Sequence, residues 1–211
     1  MKFAMKNRPK YFNDINLVQD EIIYLIKKAI IKKKDNFNKI IFSTLNKDKI
    51  INSRIVVLRN FYPQKYEIII HGDKRSRKFK DICINQNVSI LFWDQKKQIQ
   101  IRMNGKALIS KQDDVDNEWK KLQNWSKKIY LTEKKPGLIS KLPNTGYPEK
   151  FIKVAPTTCE NELGKKNFGV ISISIQNMEW LYLSSQGNRA AFFDIQRKQS
   201  QIYVKKSWVT P

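Results

Sequence analysis

The sequence predicts a mainly β fold of the α+β class, an antiparallel sheet that closes into a barrel, with helices at its margins. Three observations predict it. Runs rich in Ile, Val and aromatic residues follow one another at hairpin spacing between residues 38 and 107, with a single short helical pattern among them. The last of these runs alternates, with Ile99, Ile101 and Met103 on one face and Gln98, Gln100 and Arg102 on the other. Longer helical periodicity is confined to flanking stretches at 14–34 and 111–130, and mixed hairpins of this kind commonly close into barrels.

Taken in order, Asn13 or Asp14 can cap a helix over about 14–34 whose apolar stripe is Ile15, Val18, Ile22, Leu25, Ile26, Ala29 and Ile30. Its C-terminal lysines suit the negative end of the helix dipole. Residues 38–45 read as a first strand, and Asn46 to Lys49 as a tight turn into a second strand at 50–59. Asn60 to Lys65 then supplies turn chemistry before a strand at 66–71. Ser76 stands as N-cap of a helix with Phe79, Ile82 and Cys83 on one face. Strands at 88–93 and 98–107 follow. The stretch 111–130 carries Val115, Trp119, Leu122 and Trp125 at helical spacings, and Pro136-Gly137 ends it. Residues 140–166 hold Pro143, Gly146, Pro148 and Pro156 and read as a loop excursion within one domain spanning 1–211. Strands at 167–175 and 178–183 come next, and 190–193 pairs with 201–204.

At 211 residues and 41% hydrophobic the chain can bury a sizeable core. A net charge of +22 is of the kind that nucleic acid or anionic membranes attract. The excess is spread as short lysine runs along the whole chain, however, so it argues against a dedicated nucleic-acid surface. Two cysteines, Cys83 and the loop residue Cys159, make no metal or disulfide pattern and suit a reducing cytoplasm. One histidine, His71 at a strand end, all but excludes a histidine-based metal site. No apolar run reaches membrane-spanning length, and Met1 to Lys6 lack the apolar core of a signal peptide.

The chemistry concentrates between Arg54 and Gly105. A helix start has unpaired N–H groups and a positive dipole end, so an anion is favoured there. Arg77 and Lys78 occupy that first turn, where the dipole alone would prefer acids. Either they bracket a phosphate or they belong to a solvated basic surface. In order along the chain stand Arg54-Ile55-Val56-Val57-Leu58-Arg59, Ser76-Arg77-Lys78, Asn85-Gln86, Leu91-Phe92-Trp93 and Gln100-Ile101-Arg102-Met103-Asn104-Gly105. This ordered set resembles the pyridoxamine 5′-phosphate oxidase family and its FMN-binding split-barrel relatives.

The resemblance implies FMN as cofactor, held by Arg54 and the backbone of Ile55, Val56 and Val57, with Ser76, Arg77 and Lys78 at its phosphate and Gln100 at the ring or ribityl chain. It implies a homodimer whose two subunits complete each flavin site. On the substrate side it points to Arg59, where the oxidase has a lysine, to Lys127 or Lys128 with Tyr130 in a segment like that of a related FMN-binding subgroup, and to Arg189. The family's Arg-x-His-x-Arg motif is here Arg189-Ala190-Ala191-Phe192-Phe193, which keeps only the first arginine.

Two lost polar contacts to a buried dianion weigh against pyridoxamine 5′-phosphate as substrate. The expectation is therefore an FMN-dependent oxidoreductase of the related subgroup. An apolar wall formed by residues 190–193, with Arg59 and Arg189, would take a planar molecule with one anionic group. The alternatives are a true pyridoxamine 5′-phosphate oxidase with a remodelled pocket, and a flavin- or nucleic-acid-binding protein without turnover.

Overall fold

The computed structural model describes residues 9–199 and 201–211. The expectation about Met1 to Lys6 lies outside the described residues.

Helix α1 (Ile15–Ile31) is capped by Asp14, whose carboxylate accepts from the N–H groups of Asn16 and Leu17. It ends at Ile31, three residues before the expected end, because Lys32 leaves helical geometry. Val18, Ile22, Leu25, Ile26 and Ala29 are buried, as the 3.6-residue period requires.

Strands β1 (Lys39–Leu45), β2 (Ile51–Tyr62), β3 (Glu67–Asp73), β4 (Asn87–Asp94), β5 (Ile99–Ile109) and β6 (Phe168–Tyr182) run antiparallel in the order β3-β2-β1-β4-β5-β6, and β6 pairs back to β3. The six close a barrel. Ile40, Phe42, Leu58, Ile68, Ile70, Ile90, Phe92, Ile101, Met103, Ile173 and Ile175 fill it. Strands β7 (Arg189–Lys198) and β8 (Gln201–Val209) continue the sheet beyond the far half of β6.

Helix α2 (Arg77–Ile84) lays Phe79 and Ile82 into the barrel core. Cys83 does not join them and is exposed, because the core covers only the Phe79 and Ile82 side of this short helix. Gln98, expected on the same strand face as Gln100, sits instead in the β4–β5 turn at φ 57.

The expected helix at 111–130 is two helices, α3 (Gln112–Lys121) and α4 (Asn124–Lys128), because Leu122 and Gln123 turn extended. Val115 and Trp119 pack with Ile69, Tyr130, Phe168 and Val170 outside the barrel, whereas Trp125 is 78% exposed. The excursion at 140–166 contains two short helices, α5 (Lys150–Lys153) and α6 (Thr158–Glu162), and Cys159 lies in α6.

The two strands expected at 167–175 and 178–183 are one strand of 15 residues. The polar pair Gln176-Asn177 is carried through by a register shift between Asn104 and Gly105 on β5. Gly105 is required there, since a Cβ would stand 2.3 Å from the Ser174 carbonyl oxygen.

Candidate functional site

Three cations expected at the phosphate converge where β2 meets α2. Arg54 donates from Nη1 to the Phe42 carbonyl at 3.2 Å and to Thr44 Oγ1 at 2.8 Å, and its other terminal nitrogen lies 3.7 Å from the Asp81 carboxylate. Thr44 in turn donates to Asp81 at 2.6 Å. Lys78 folds back onto β3 and donates to Ser76 Oγ at 3.0 Å. Burial, with Arg54 nearby, pulls the Lys78 pKa down. Burial likewise lowers that of Arg54, and Arg77 pushes in the same direction. Arg77 is exposed and makes no ion pair among the described residues.

Ser76 holds the predicted N-cap position but does not cap. Its hydroxyl donates to the Asp73 carbonyl at 2.6 Å, which leaves the first turn of α2 without a side-chain acceptor. The other nearby acid, Asp73, is taken by Arg75, which also clamps the Thr132 and Glu133 carbonyls. The three cations are therefore clustered with two nearby acids, Asp81 and the already paired Asp73, an arrangement that a dianionic phosphate ester would complete.

Gly72 and Gly169, paired across β3 and β6, make room for this cluster. A Cβ on Gly72 would meet Lys78 Cε at 2.5 Å, and one on Gly169 would meet the Phe79 ring at 2.6 Å.

Along β2, Val56 turns into the barrel while Ile55 and Val57 face out, and Ile55 stands opposite Ile41, which pairs with Leu91. Gln100 lies on the same outer surface beside Trp93. Arg59 follows about 16 Å further along β2 than Arg54. It occupies a bulge between Leu58 and Asn60, which re-aims its side chain.

Arg59 makes no hydrogen bond or ion pair among the described residues, and its Nε is buried without a partner. It is the strongest charge acting on two buried neighbours, His71 and Tyr130. Burial pushes the Tyr130 hydroxyl up to about 12, and burial with the Arg59 charge pulls His71 down to about 4. His71 Nε2 lies 3.1 Å from Glu118 on α3, and the ring stands edge-on to Phe168.

The other expected substrate residues stand elsewhere. Lys127 is buried in a closed triad: its ammonium lies 2.8 Å from Glu162 and over the Trp119 ring, and the Trp119 indole donates to the same carboxylate at 2.7 Å. Lys128 lies over Tyr147. Arg189 stacks on Phe12, donates to Asn13, and with Ala190 and Trp208 lines a separate hollow of about 390 Å³.

By strand register Arg189 sits opposite Tyr182, at the end of β6 away from Val170 and His71, roughly 40 Å along the strand. Arg59 and Arg189 therefore do not share a site within one chain. The expected apolar wall at 190–193 does not form either. Ala191 and Phe193 point into the core because strand alternation sends every second residue there.

Residues 20–111, from α1 through β5 into the following turn, match the sequence profile described as pyridoxamine 5′-phosphate oxidase, FMN-binding domain. Over those residues the chain is similar to that family. No curated protein sequence matches it. Among solved structures, PhzG from Burkholderia lata 383, in complex with tetrahydrophenazine-1-carboxylic acid, superimposes with a TM-score of 0.70 at 14% identity over 99% of both chains. A pyridoxamine 5′-phosphate oxidase-related, FMN-binding protein from Nostoc punctiforme PCC 73102 gives 0.68 at 15% identity over 97% of this chain and 99% of its own. At these identities the likeness shows a shared split-barrel fold. The profile covers the phosphate-end cations, Arg59, His71 and Gln100, and stops before Glu118, Tyr130 and Arg189.

Proposed function

We propose that this protein is an FMN-dependent oxidoreductase, acting as a homodimer on a small organic molecule with a single anionic group. The observation that carries the cofactor assignment is the convergence of Arg54, Arg77 and a half-buried Lys78, with Asp81 near them and the nearby Asp73 already paired with Arg75. Bound there, FMN supplies a two-electron carrier that exchanges a hydride with an organic substrate. The chain's own part is to hold the phosphate, align the ring along Ile55 to Val57 and Gln100, and place the substrate by Arg59 and Tyr130.

A dimer is supported by the uncovered apolar outer face. Ile55 is 68% exposed beside the exposed Ile41, and Trp93 is exposed further along the same outer face. Because Arg189 lies at the far end of β6, any part it takes at the flavin is taken across the dimer. Arg59 favours one anionic group, and a carboxylic acid on a ring system is what the Burkholderia structure carries. No described helix is long and apolar enough to cross a membrane.

The experiment is the visible spectrum of the purified protein, followed by FMN titration of the apoprotein. A flavin spectrum with FMN released on denaturation is expected, and Arg77→Ala should weaken FMN by about 1.5–3 kcal/mol. A colourless protein that ignores FMN would refute the assignment. Rapid anaerobic flavin reduction by pyridoxamine 5′-phosphate would replace it with the vitamin B6 oxidase. Affinity for RNA that falls steeply with salt, without flavin, would favour a binding protein.

A further inference from the structure

We propose that Glu118 is a positioning residue that fixes His71 as a hydrogen-bond acceptor beside Arg59, so that the site selects a carboxylate with an N–H or O–H donor next to it. The placement of this pair at a flavin rests on the function proposed above; the pair itself does not.

The Glu118 carboxylate is engaged at both oxygens, by Lys121 at 2.6 Å and by His71 Nε2 at 3.1 Å. An ionised carboxylate can only accept, so the shared hydrogen sits on Nε2. A neutral imidazole then has a bare lone pair on Nδ1.

The ring stays neutral near pH 7 because burial and the Arg59 charge outweigh Glu118, with Lys121 adding to the repulsion. The charged groups facing it are Arg59 from β2 and Glu118 and Lys121 from α3, and from β6 it meets the apolar Phe168.

Among the described residues His71 Nδ1 is buried without a partner, and so is Arg59 Nε. One is an acceptor and the other a donor, and Arg59 is the charge that acts most strongly on the ring. Buried polar atoms are ordinarily paired, and solvent does not reach these two. A ligand edge carrying both an acceptor and a donor satisfies them together. A phosphate dianion offers acceptors alone and would set its oxygens against the Nδ1 lone pair. A plain carboxylate would satisfy Arg59 and leave Nδ1 unmatched. Sites built on a buried hydrogen-bonding group reject ligands that leave it unpaired, so the preference should be at least about tenfold.

The chain has one histidine, so its imidazole nitrogen resonances are unambiguous. Nitrogen NMR of the ligand-free protein at pH 7 should show the neutral Nε2–H tautomer, and Glu118→Ala should allow both tautomers. The probes are 2-aminobenzoate, benzoate and inorganic phosphate, titrated with and without FMN. The expected results are that 2-aminobenzoate moves the Nδ1 resonance, that it binds about tenfold or more tighter than benzoate, and that His71→Phe removes this difference.

An imidazolium or an Nδ1–H tautomer at pH 7 overturns the proposal. So does equal binding of the two benzoates, tighter binding of phosphate, or an Nδ1 resonance that no probe moves. A protein that shows the tautomer and the preference but takes no FMN refutes the oxidoreductase and leaves this inference intact. FMN binding without the tautomer does the reverse.

Discussion

Replacing Gly72 by alanine should damage flavin binding without replacing any residue whose own side chain is proposed to contact the flavin. The new Cβ would fall 2.5 Å from Lys78 Cε and 2.6 Å from Nζ, and 3.2 Å from the Phe79 ring. The tip of a lysine is the softest of these, so Lys78 should swing away while the paired strands β3 and β6 hold. The sheet itself should be neutral to slightly stabilised, because alanine loses less backbone entropy than glycine, by about 0.5–1 kcal/mol. What is lost is one charge-assisted contact to the phosphate, about 1.5–3 kcal/mol, or roughly 10- to 150-fold in the FMN dissociation constant. The assay is quenching of flavin fluorescence on titrating the apoprotein at fixed salt, for Gly72→Ala, Lys78→Met and the double variant. Acting through the same ammonium, the two changes should not add: the double variant should bind FMN about as weakly as Lys78→Met alone. Unaltered affinity in Gly72→Ala, or a double variant that loses the sum of both, would refute the reasoning.

Three further outcomes are expected. His71 titrates near 6.5 when unfolded but is depressed to about 4 when folded, so the unfolded chain binds the extra proton between those values. Stability is therefore full above about 6.5, falls by up to about 3 kcal/mol as pH drops toward 4, and flattens below; urea melts across this range should lose that slope in His71→Phe, and parallel curves would contradict it. Glu162→Ala strands the buried Lys127 ammonium and the Trp119 indole N–H, at a cost of about 2 kcal/mol and roughly 4–8 °C in Tm with FMN affinity kept, so an unchanged calorimetric Tm would show the triad to be idle. Light scattering should give twice the 25.0 kDa chain mass, and Ile55→Arg, which puts a charge on the apolar outer face, should give monomers; a wild-type monomer with FMN bound would count decisively against the dimer.

The barrel was legible because β-branched runs and strict alternation report burial directly, and α1 because its apolar stripe recurs every three to four residues. The sequence misleads where a distant partner decides. Gln176-Asn177 looks like a turn, and only the shift opposite it on β5 keeps β6 continuous. Ser76 is at the cap position, but the Asp73 carbonyl takes its hydroxyl. In the site, the phosphate-end cations could be read from a local motif, whereas His71 and Glu118 stand 47 positions apart and meet only because Trp119 anchors α3 on the outer face of β3 and β6. A lone histidine at a strand end carries no signal of that encounter.

Charge pairing separates the cations that hold the fold from those that await a ligand. With 41 lysines and arginines against 19 acids, one-to-one pairing leaves many cations without a carboxylate, so an unpaired lysine on the surface carries no information. Burial changes this, since a desolvated charge without a partner is costly and persists only where something else compensates. Arg75 and Lys127 are each at least partly buried and each is satisfied, by Asp73 and by Glu162. Lys78 and Arg59 differ: among the described residues one has a single hydroxyl as hydrogen-bond partner and the other has a buried Nε with none. Both belong to the stretch between Arg54 and Gly105, on either side of Gly72 and His71. Two under-satisfied cations, one at the α2 start and one on the β2 bulge, are what a cofactor phosphate at one place and a substrate anion at the other would satisfy.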